Sequence, residues 1–165
     1  MKKMFFSLGV LLAMTVSVGF AQELKVGDRG PAGGWIFYDK GVVSDGWRYL
    51  EAAPAETEFT AQWSEHKLFD VSGTDTTTGT GKRNTEIIVD FLRRIGENGR
   101  AAQLCDELIV GDEFDDWFLP SQDELDLMYQ NLKAKGLGGF TDNWYWSSSQ
   151  LDKRISWEQD FGDNS

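Results

Sequence analysis

The sequence is poor in the side chains on which most enzyme chemistry depends. Its 165 residues include one cysteine, Cys105, and one histidine, His66. A single cysteine cannot form an intramolecular disulfide. The two counts together exclude a Cys/His zinc cluster, a CxxC redox centre and a haem held by paired histidines. Cys105 lies at helical spacing with Ala101, Leu104 and Leu108, so we expect it to be buried and unreactive.

Positive charge is also scarce. The chain has 16 Lys and Arg against 27 Asp and Glu, which gives a formal net charge of −11. A surface this acidic repels phosphate backbones and anionic membranes. We therefore expect no nucleic-acid partner.

Long apolar runs are missing except near the start of the chain. The run Phe5–Val18 follows two lysines and precedes the small residues Gly19 and Ala21, as in a secretory signal peptide. It is shorter than the roughly 20 residues of a membrane-spanning helix. We expect residues 1–21 to be removed and 22–165 to form one exported domain, in the periplasm, on the outer cell surface or secreted. The mature part has no apolar run long enough for a transmembrane segment.

The rest of the sequence predicts strands at both ends of the domain and helices between them. Aromatic and apolar runs predict the strands, and apolar residues at i, i+3, i+4 and i+7 predict the helices. This order is typical of an α+β fold, here with a mixed or antiparallel sheet and two to three central helices. The predicted strands are Trp35–Tyr38, Trp47–Glu51, Asp116–Leu119, Trp144–Ser149 and Arg154–Phe161, and the helices start near Asn84 or Thr85, Ala101 and Ser121.

Local signals add detail to this prediction. Ser44-Asp45-Gly46 predicts the turn of a hairpin, and Ser121 with Glu124 predicts a capping box at a helix start. Residues 55–83 are polar and predict a long irregular loop, a kind of segment that often carries function. Alternation in the last strand predicts that Ile155, Trp157, Gln159 and Phe161 share the core face, opposite Arg154, Ser156, Glu158 and Asp160.

Four segments together resemble one bacterial family. It is the domain of unknown function at the C-terminus of Legionella collagen-like adhesins, common in exported proteins of spirochaetes and other bacteria. The resemblance covers roughly residues 25–161. The segments are Gly27-Asp28-Arg29-Gly30-Pro31-Ala32-Gly33-Gly34, Gly46-Trp47-Arg48-Tyr49-Leu50-Glu51-Ala52-Ala53-Pro54, Asp116-Trp117-Phe118-Leu119-Pro120-Ser121 and Tyr145-Trp146-Ser147-Ser148-Ser149.

A more distant similarity implies a C-type-lectin-like fold. It is carried by the helix at Ala101–Cys105, by Leu119-Pro120-Ser121 leading to Glu124, and by the aromatic pair Tyr145-Trp146. The disulfides usual in that fold are absent. So is the Glu-Pro-Asn or Gln-Pro-Asp triplet with which calcium-dependent lectins bind sugars, and sugar binding by that route is unsupported.

The resemblance also carries an expectation about the last strand. Family members generally continue past the Trp-x-Gln-x-Phe strand, here Trp157–Phe161, into one further basic-aromatic strand. The resemblance therefore implies a shortened domain in which Trp35–Tyr38 lacks a neighbour. An unpaired aromatic edge favours association between molecules.

Acidic and aromatic residues provide the candidate sites. Asp112, Asp115 and Asp116 are hard oxygen ligands that suit Ca²⁺, although acidic runs are more often solvated surface. Exposed aromatic rings beside amide and carboxylate groups stack on sugars. The candidate ligand-binding residues are Trp63, Asp142, Asn143 and Trp144, although a core position is favoured for each tryptophan taken singly.

These observations favour a non-enzymatic, exported binding or adhesion module of the cell envelope, with a polysaccharide or an extracellular protein as its partner. A structural envelope protein without a small ligand is the first alternative. The second is an enzyme on a fold similar to that of formylglycine-generating enzymes, against which the single cysteine argues. A nucleophile from Ser147–Ser149 with His66 as its base is a further, weaker alternative.

Overall fold

The computed structural model describes residues 23–65, 70–152 and 155–163, together with the backbone of 3–4 and 7–8. Helices and antiparallel strand pairs make up these parts, which confirms the α+β class. The helices are α1 Gly81–Arg94, α2 Ala101–Asp106 and α3 Gln122–Asn131, with 3₁₀ turns at Ala55–Thr57 and Lys133–Lys135. The strands are β1 Lys3–Met4, β2 Ser7–Leu8, β3 Trp35–Ser44, β4 Trp47–Ala52, β5 Phe59–Thr60, β6 Trp117–Phe118, β7 Trp144–Asp152 and β8 Ile155–Asp160.

Three antiparallel sheets organise the described strands. The largest has the order β3-β4-β2-β6, and β1-β5 and β7-β8 form two-stranded sheets. The short strands β1 and β2 lie within the predicted signal peptide, where their backbones pair with β5, β4 and β6. Cleavage after Ala21 stays a prediction, because most of residues 1–22 lies outside the described residues.

The β3–β4 hairpin closes at the predicted turn. Asp45 and Gly46 both have positive φ, of 53° and 83°, as a type I′ turn requires. Strand β3 runs six residues beyond its predicted end at Tyr38, to Ser44. The register shifts between Asp39 and Ser44, so the added part of the strand is bulged.

The outer edge of β3 is covered where the sequence predicted an open edge. The N–H of Gly27 donates to the carbonyl of Ile36 at 2.8 Å, and the N–H of Ile36 donates to Asp28 at 2.9 Å. One residue further on, the Asn131 side chain donates to the carbonyl of Phe37 at 3.1 Å. The expectation of an unpaired edge is therefore wrong at Ile36 and Phe37, because the glycine-rich segment before β3 folds back onto it.

Two clusters of buried side chains form the core. One lies around α1 and α2 and contains the fully buried Cys105, as its helical spacing predicts. Burial raises the pKa of the Cys105 thiol well above its ordinary value. The other cluster packs α3 against β3, β4 and β7 through an aromatic group that includes Phe37, Tyr145 and Phe161. The rings of Tyr145 and Phe161 have centres 4.4 Å apart.

The last strand departs from its predicted alternation. Phe161 is fully buried, as expected, whereas Ser156 is buried on what was predicted to be the solvent face. Register shifts between Trp146 and Asp152 of β7 move its partner residues on β8 out of a simple two-residue period.

The segment before α1 is ordered by a buried asparagine. The helix begins at Gly81, so the prediction that it starts near Asn84 or Thr85 is wrong. Asn84 is instead fully buried, and its side chain accepts from the N–H of Asp75 at 2.9 Å and donates to the Asp75 carbonyl at 2.6 Å. The Ser149 hydroxyl donates to that carbonyl at 2.8 Å. The end of the predicted irregular loop is thereby fixed to α1 and β7.

Candidate binding site

A cleft lies where the β3–β4 turn, the first turns of α1 and strand β6 meet. It consists of two chambers of about 330 and 180 Å³, whose walls share Lys82, Glu86, Asp116 and Phe118. Three segments far apart in the sequence form it, so it exists only in the folded chain. Its larger chamber has the volume of a small-molecule site in proteins.

Aromatic side chains form one wall of the larger chamber. Trp47, at the start of β4, is half-buried, and Phe118 on β6 is buried. The Lys40 ammonium lies 3.7 Å from the centre of the Trp47 ring, as in a cation–π pair. A Cβ atom on Gly79 would lie only 3.2 Å from Cζ2 of Trp47, so glycine lets the loop approach the ring closely.

The loop before α1, which contacts Trp47, is held by a buried carboxylate. Glu124 completes the predicted capping box, since its Oε2 accepts from the N–H of Ser121 at 2.7 Å. Its Oε1 accepts from the N–H of Gly79 at 2.7 Å, across to the loop before α1. A side chain on Gly81 would collide with Glu124 and Phe118. Glu124 thus joins the start of α3 to the loop that contacts Trp47.

Burial and hydrogen bonding act on Glu124 in opposite directions. The carboxyl is fully buried, and loss of hydration raises its pKa. The backbone N–H groups of Ser121, Gly79 and Gly81 partly offset this because they stabilise the ionised form. These backbone donors share one carboxylate, so a change at Glu124 would leave them without their acceptor.

Charged side chains of both signs line the rest of the cleft. Lys82, Arg83 and Glu86 are exposed on the first turns of α1. Asp116, just before β6, is half-buried and lines both chambers. Burial raises the pKa of Asp116, and the neighbouring Lys82 partly opposes the shift. The cleft therefore offers hydrogen-bond donors and acceptors beside an apolar wall.

The structure separates the four predicted ligand-binding residues into two places. Trp63 is only 5 % exposed, and its indole N–H donates to the Ser147 carbonyl at 2.9 Å. The prediction that Trp63 is an exposed stacking ring is wrong, because its loop packs into the α1–α2 core cluster.

The other three residues lie together on the surface at the start of β7. Trp144 is 38 % exposed. Asp142 forms an ion pair with Lys133, and the Asn143 side chain donates to the Thr141 hydroxyl at 3.0 Å. None of the three lines either chamber of the cleft. We call Asp142, Asn143 and Trp144 the Trp144 surface.

The three predicted calcium ligands are only partly brought together. Asp115 and Asp116 line the smaller chamber, whereas Asp112 is exposed in a turn with a φ of 64° and does not line it. Within residues 23–65, 70–152 and 155–163, no three His, Cys, Asp or Glu side chains are placed to hold a metal ion. Calcium binding stays a prediction.

The three serines on β7, Ser147, Ser148 and Ser149, are buried, and their hydroxyl groups form hydrogen bonds within the protein. The Ser148 hydroxyl accepts from the Asn84 side chain at 3.2 Å, and that of Ser149 contacts the Asp75 carbonyl. His66, the base with which a nucleophilic serine was considered, lies outside the described residues.

Apart from Asp115 and Asp116, the residues that form the cleft were not predicted from the sequence. Trp47 reads as an ordinary core residue of a strand. Gly79-Thr80-Gly81-Lys82 invites comparison with a phosphate-binding loop, whose spacing it fails. The signal in the sequence that could have indicated the cleft is the pair Gly79 and Gly81. In the structure, both positions have close neighbours that a side chain would displace.

The chain matches no protein-family model, no curated protein and no solved structure. The resemblance to the adhesin domain and to the C-type-lectin-like fold stays an expectation from the motifs. In the part of the chain that the structure describes, every helix is too short or too polar to cross a membrane.

Proposed function

We propose that this protein is an exported, non-enzymatic binding module of the bacterial cell envelope, and that its cleft binds a polysaccharide. The observation that carries the proposal is the cleft itself, a concave site of about 330 Å³ with an aromatic wall and charged side chains. Export is supported by the N-terminal lysines and apolar run, and an envelope role by the motifs that resemble the adhesin domain.

A sugar ring matches the two kinds of wall in the cleft. Its C–H face is apolar and packs against rings such as those of Trp47 and Phe118. Its hydroxyls donate to carboxylates such as Asp116 and accept from ammonium and guanidinium groups such as Lys82 and Arg83. A folded protein partner would instead need an interface of at least about 1,000 Å² with good complementarity. The concave shape therefore favours a saccharide over a protein.

The walls of the cleft are fixed before a ligand binds. Glu124 holds Gly79 against Trp47, and Asn84 holds the preceding residues at Asp75. A site that is already ordered loses less conformational entropy on binding. This supports a recognition role for the loop before α1.

The cysteine and the serines that were considered as nucleophiles are placed away from the cleft, which argues against an enzyme that uses them there. Cys105 is fully buried on α2, and Ser147–Ser149 are buried and hydrogen-bonded on β7. Neither group lines the two chambers.

A glycan array probed with the mature protein tests the proposal, in buffer with Ca²⁺ and in buffer with chelator. We expect the wild type to bind a subset of glycans, Trp47→Ala to lose most of that binding, and Trp144→Ala to keep it. Loss in chelator would support the predicted calcium site. Loss only in Trp144→Ala would move the site to the Trp144 surface. Silence of the folded wild type on all glycans would contradict the proposal and favour a structural protein.

A further inference from the structure

The two chambers of the cleft differ in the charge of their walls. In the larger chamber the cations Lys82 and Arg83 face three carboxylates, those of Asp45, Glu86 and Asp116. In the smaller chamber Lys82 is the lone cation among the lining residues. The carboxylates there belong to Glu86, Asp106, Asp115 and Asp116. The negative charge therefore grows from the larger chamber to the smaller one.

Size distinguishes the chambers as well as charge. The larger chamber, of about 330 Å³, has Trp47 in its wall, the smaller one, of about 180 Å³, has Trp117, and Phe118 lines both. A ligand whose ring contacts Trp47 and Phe118 would place a substituent of that ring beside Asp116, the carboxylate common to the two chambers. Shape and aromatic contact thus give the ligand an orientation that the charges alone would not.

We infer that the cleft binds an amino sugar, with its ring against Trp47 and Phe118 and its protonated amino group in the smaller chamber beside Asp116. This rests on the proposed function, because it names the class of saccharide that the same cleft takes.

The chemistry of the smaller chamber selects a charged donor. An ammonium group has three N–H donors and no acceptor, and ionised carboxylates only accept. Hydrogen bonds between such groups are about twice as strong as those between neutral partners. Asp106 already pairs with Arg93 at 3.5 Å, so the remaining acceptors in the smaller chamber are Glu86, Asp115 and Asp116. N-acetylation would remove the charge and add bulk, and a sugar acid would be repelled.

A lysine side chain of a partner protein has the same charged group, but it fits the larger chamber less well. A narrow aliphatic chain would leave much of the 330 Å³ beside Trp47 unfilled. The aromatic wall therefore favours the ring of a sugar over a basic peptide, and a peptide becomes an outcome of the test.

Small probes separate specific binding from the general attraction of a cation to an acidic protein. Calorimetric titrations just below neutral pH compare a glucosamine disaccharide, its N-acetylated form and a lysine dipeptide. The variants are Asp116→Asn and the exposed Asp115→Asn, with Asp142→Asn on the Trp144 surface as a control that removes the same charge. Thermal melts confirm that each variant is folded.

We expect the wild type to bind the free amino disaccharide about tenfold or more tightly than the acetylated one, the factor that one charge-assisted hydrogen bond supplies. Asp116→Asn or Asp115→Asn should abolish that preference, and Asp142→Asn should keep it. If Asp116→Asn fails to fold, Asp115→Asn decides.

Equal or tighter binding of the acetylated form, or of other neutral glycans alone, would overturn this inference and leave the proposed function standing. Tighter binding of the lysine dipeptide would also overturn it. If the array above is silent as well, both fail.

Discussion

The cleft and the Trp144 surface contain similar side chains in different surroundings. Each has a partly exposed tryptophan with a carboxylate nearby, Trp47 with Asp116 and Trp144 with Asp142. The cleft places them in a concave site whose loop is held by the buried Glu124. On the Trp144 surface, the Asp142 carboxylate is 79 % exposed and pairs with Lys133. Residue types suited to sugar binding thus occur twice. The two places differ because a buried carboxylate, Glu124, holds the loop of the cleft, whereas the Asp142 carboxylate is exposed.

The largest effect is expected at the carboxylate that fixes the cleft. Glu124→Gln replaces an acceptor oxygen with an N–H₂ group that faces backbone donors. We expect the free energy of unfolding to fall by about 1–3 kcal/mol, the cost of a buried group left without its partner. Chemical denaturation measures this change.

Asp123→Asn is the matched control for that variant. It removes the same charge from the first turn of α3, but Asp123 is exposed. We expect it to cost no more than about 0.5 kcal/mol, the usual limit for a surface change. Equal losses in the two variants would show that Glu124 acts only through helix charge and does not fix the cleft.

The next effect concerns the contact between Gly79 and Trp47. Gly79 has a φ of 95°, so Gly79→Ala costs roughly 1–2 kcal/mol for the left-handed backbone alone. The new Cβ would also press on the Trp47 ring. Gly41 has a similar φ of 83° with no atom within 4 Å of the added Cβ, so Gly41→Ala measures the backbone cost alone. We expect Gly79→Ala to be the more destabilising of the two, and the reverse order would contradict the contact.

The pH dependence of stability separates buried from exposed carboxylates. Burial raises the pKa of Glu51, Glu124 and Asp116 in the folded state. The folded chain therefore holds these protons more strongly than the unfolded chain. The stability that these groups contribute is greatest in mild acid. It falls as the pH rises from their ordinary pKa values through the raised pKa values of the folded state. Thermal melts across this range should show the decline, with a shallower slope in Glu124→Gln.

Asp39 should behave in the opposite way. The Arg48 guanidinium, which donates to both oxygens of Asp39, lowers the pKa of that carboxyl. Its contribution is present above the ordinary aspartate pKa and is lost as the pH falls through the lowered one. Asp39→Asn should therefore lower stability at neutral pH and flatten the acid side of the stability profile, where the wild type loses this contribution. A profile that rises steadily from mild acid to neutral pH would contradict the assignment of the buried carboxylates.

The smallest effect is expected on the Trp144 surface. The exposed ion pair between Asp142 and Lys133 resembles pairs that contribute little in other proteins. We expect Asp142→Asn to change the free energy of unfolding by no more than about 0.5 kcal/mol. A loss of several times that size would show that this surface is as firmly built as the cleft, and the comparison would fail.

The sequence predicted best those features that depend on neighbouring residues. The Asp45-Gly46 turn and the Ser121–Glu124 capping box are local, and both are confirmed. Asn84 was predicted to lie at a helix start because asparagine is common there. Its actual role depends on Asp75 and Ser148, which a local pattern does not bring together.

The candidate site shows the same limit more strongly. Trp63 lies in a polar stretch and so looked exposed, but its indole N–H reaches the Ser147 carbonyl far along the chain. The cleft joins the β3–β4 turn, the start of α1 and β6, and no single segment of the sequence suggests it. Glu124 could be predicted as a cap, but its second hydrogen bond to Gly79 depends on tertiary packing.

An NMR titration that follows the indole N–H signals of the seven tryptophans tests the central claim most directly. A glycan identified on the array is added to the labelled mature protein, and the signals are assigned with Trp47→Phe and Trp144→Phe. The account predicts that the Trp47 signal shifts in a saturable way and that the Trp144 signal stays in place. A saturable shift of Trp144 with Trp47 unchanged would place the binding site on the Trp144 surface and contradict the account.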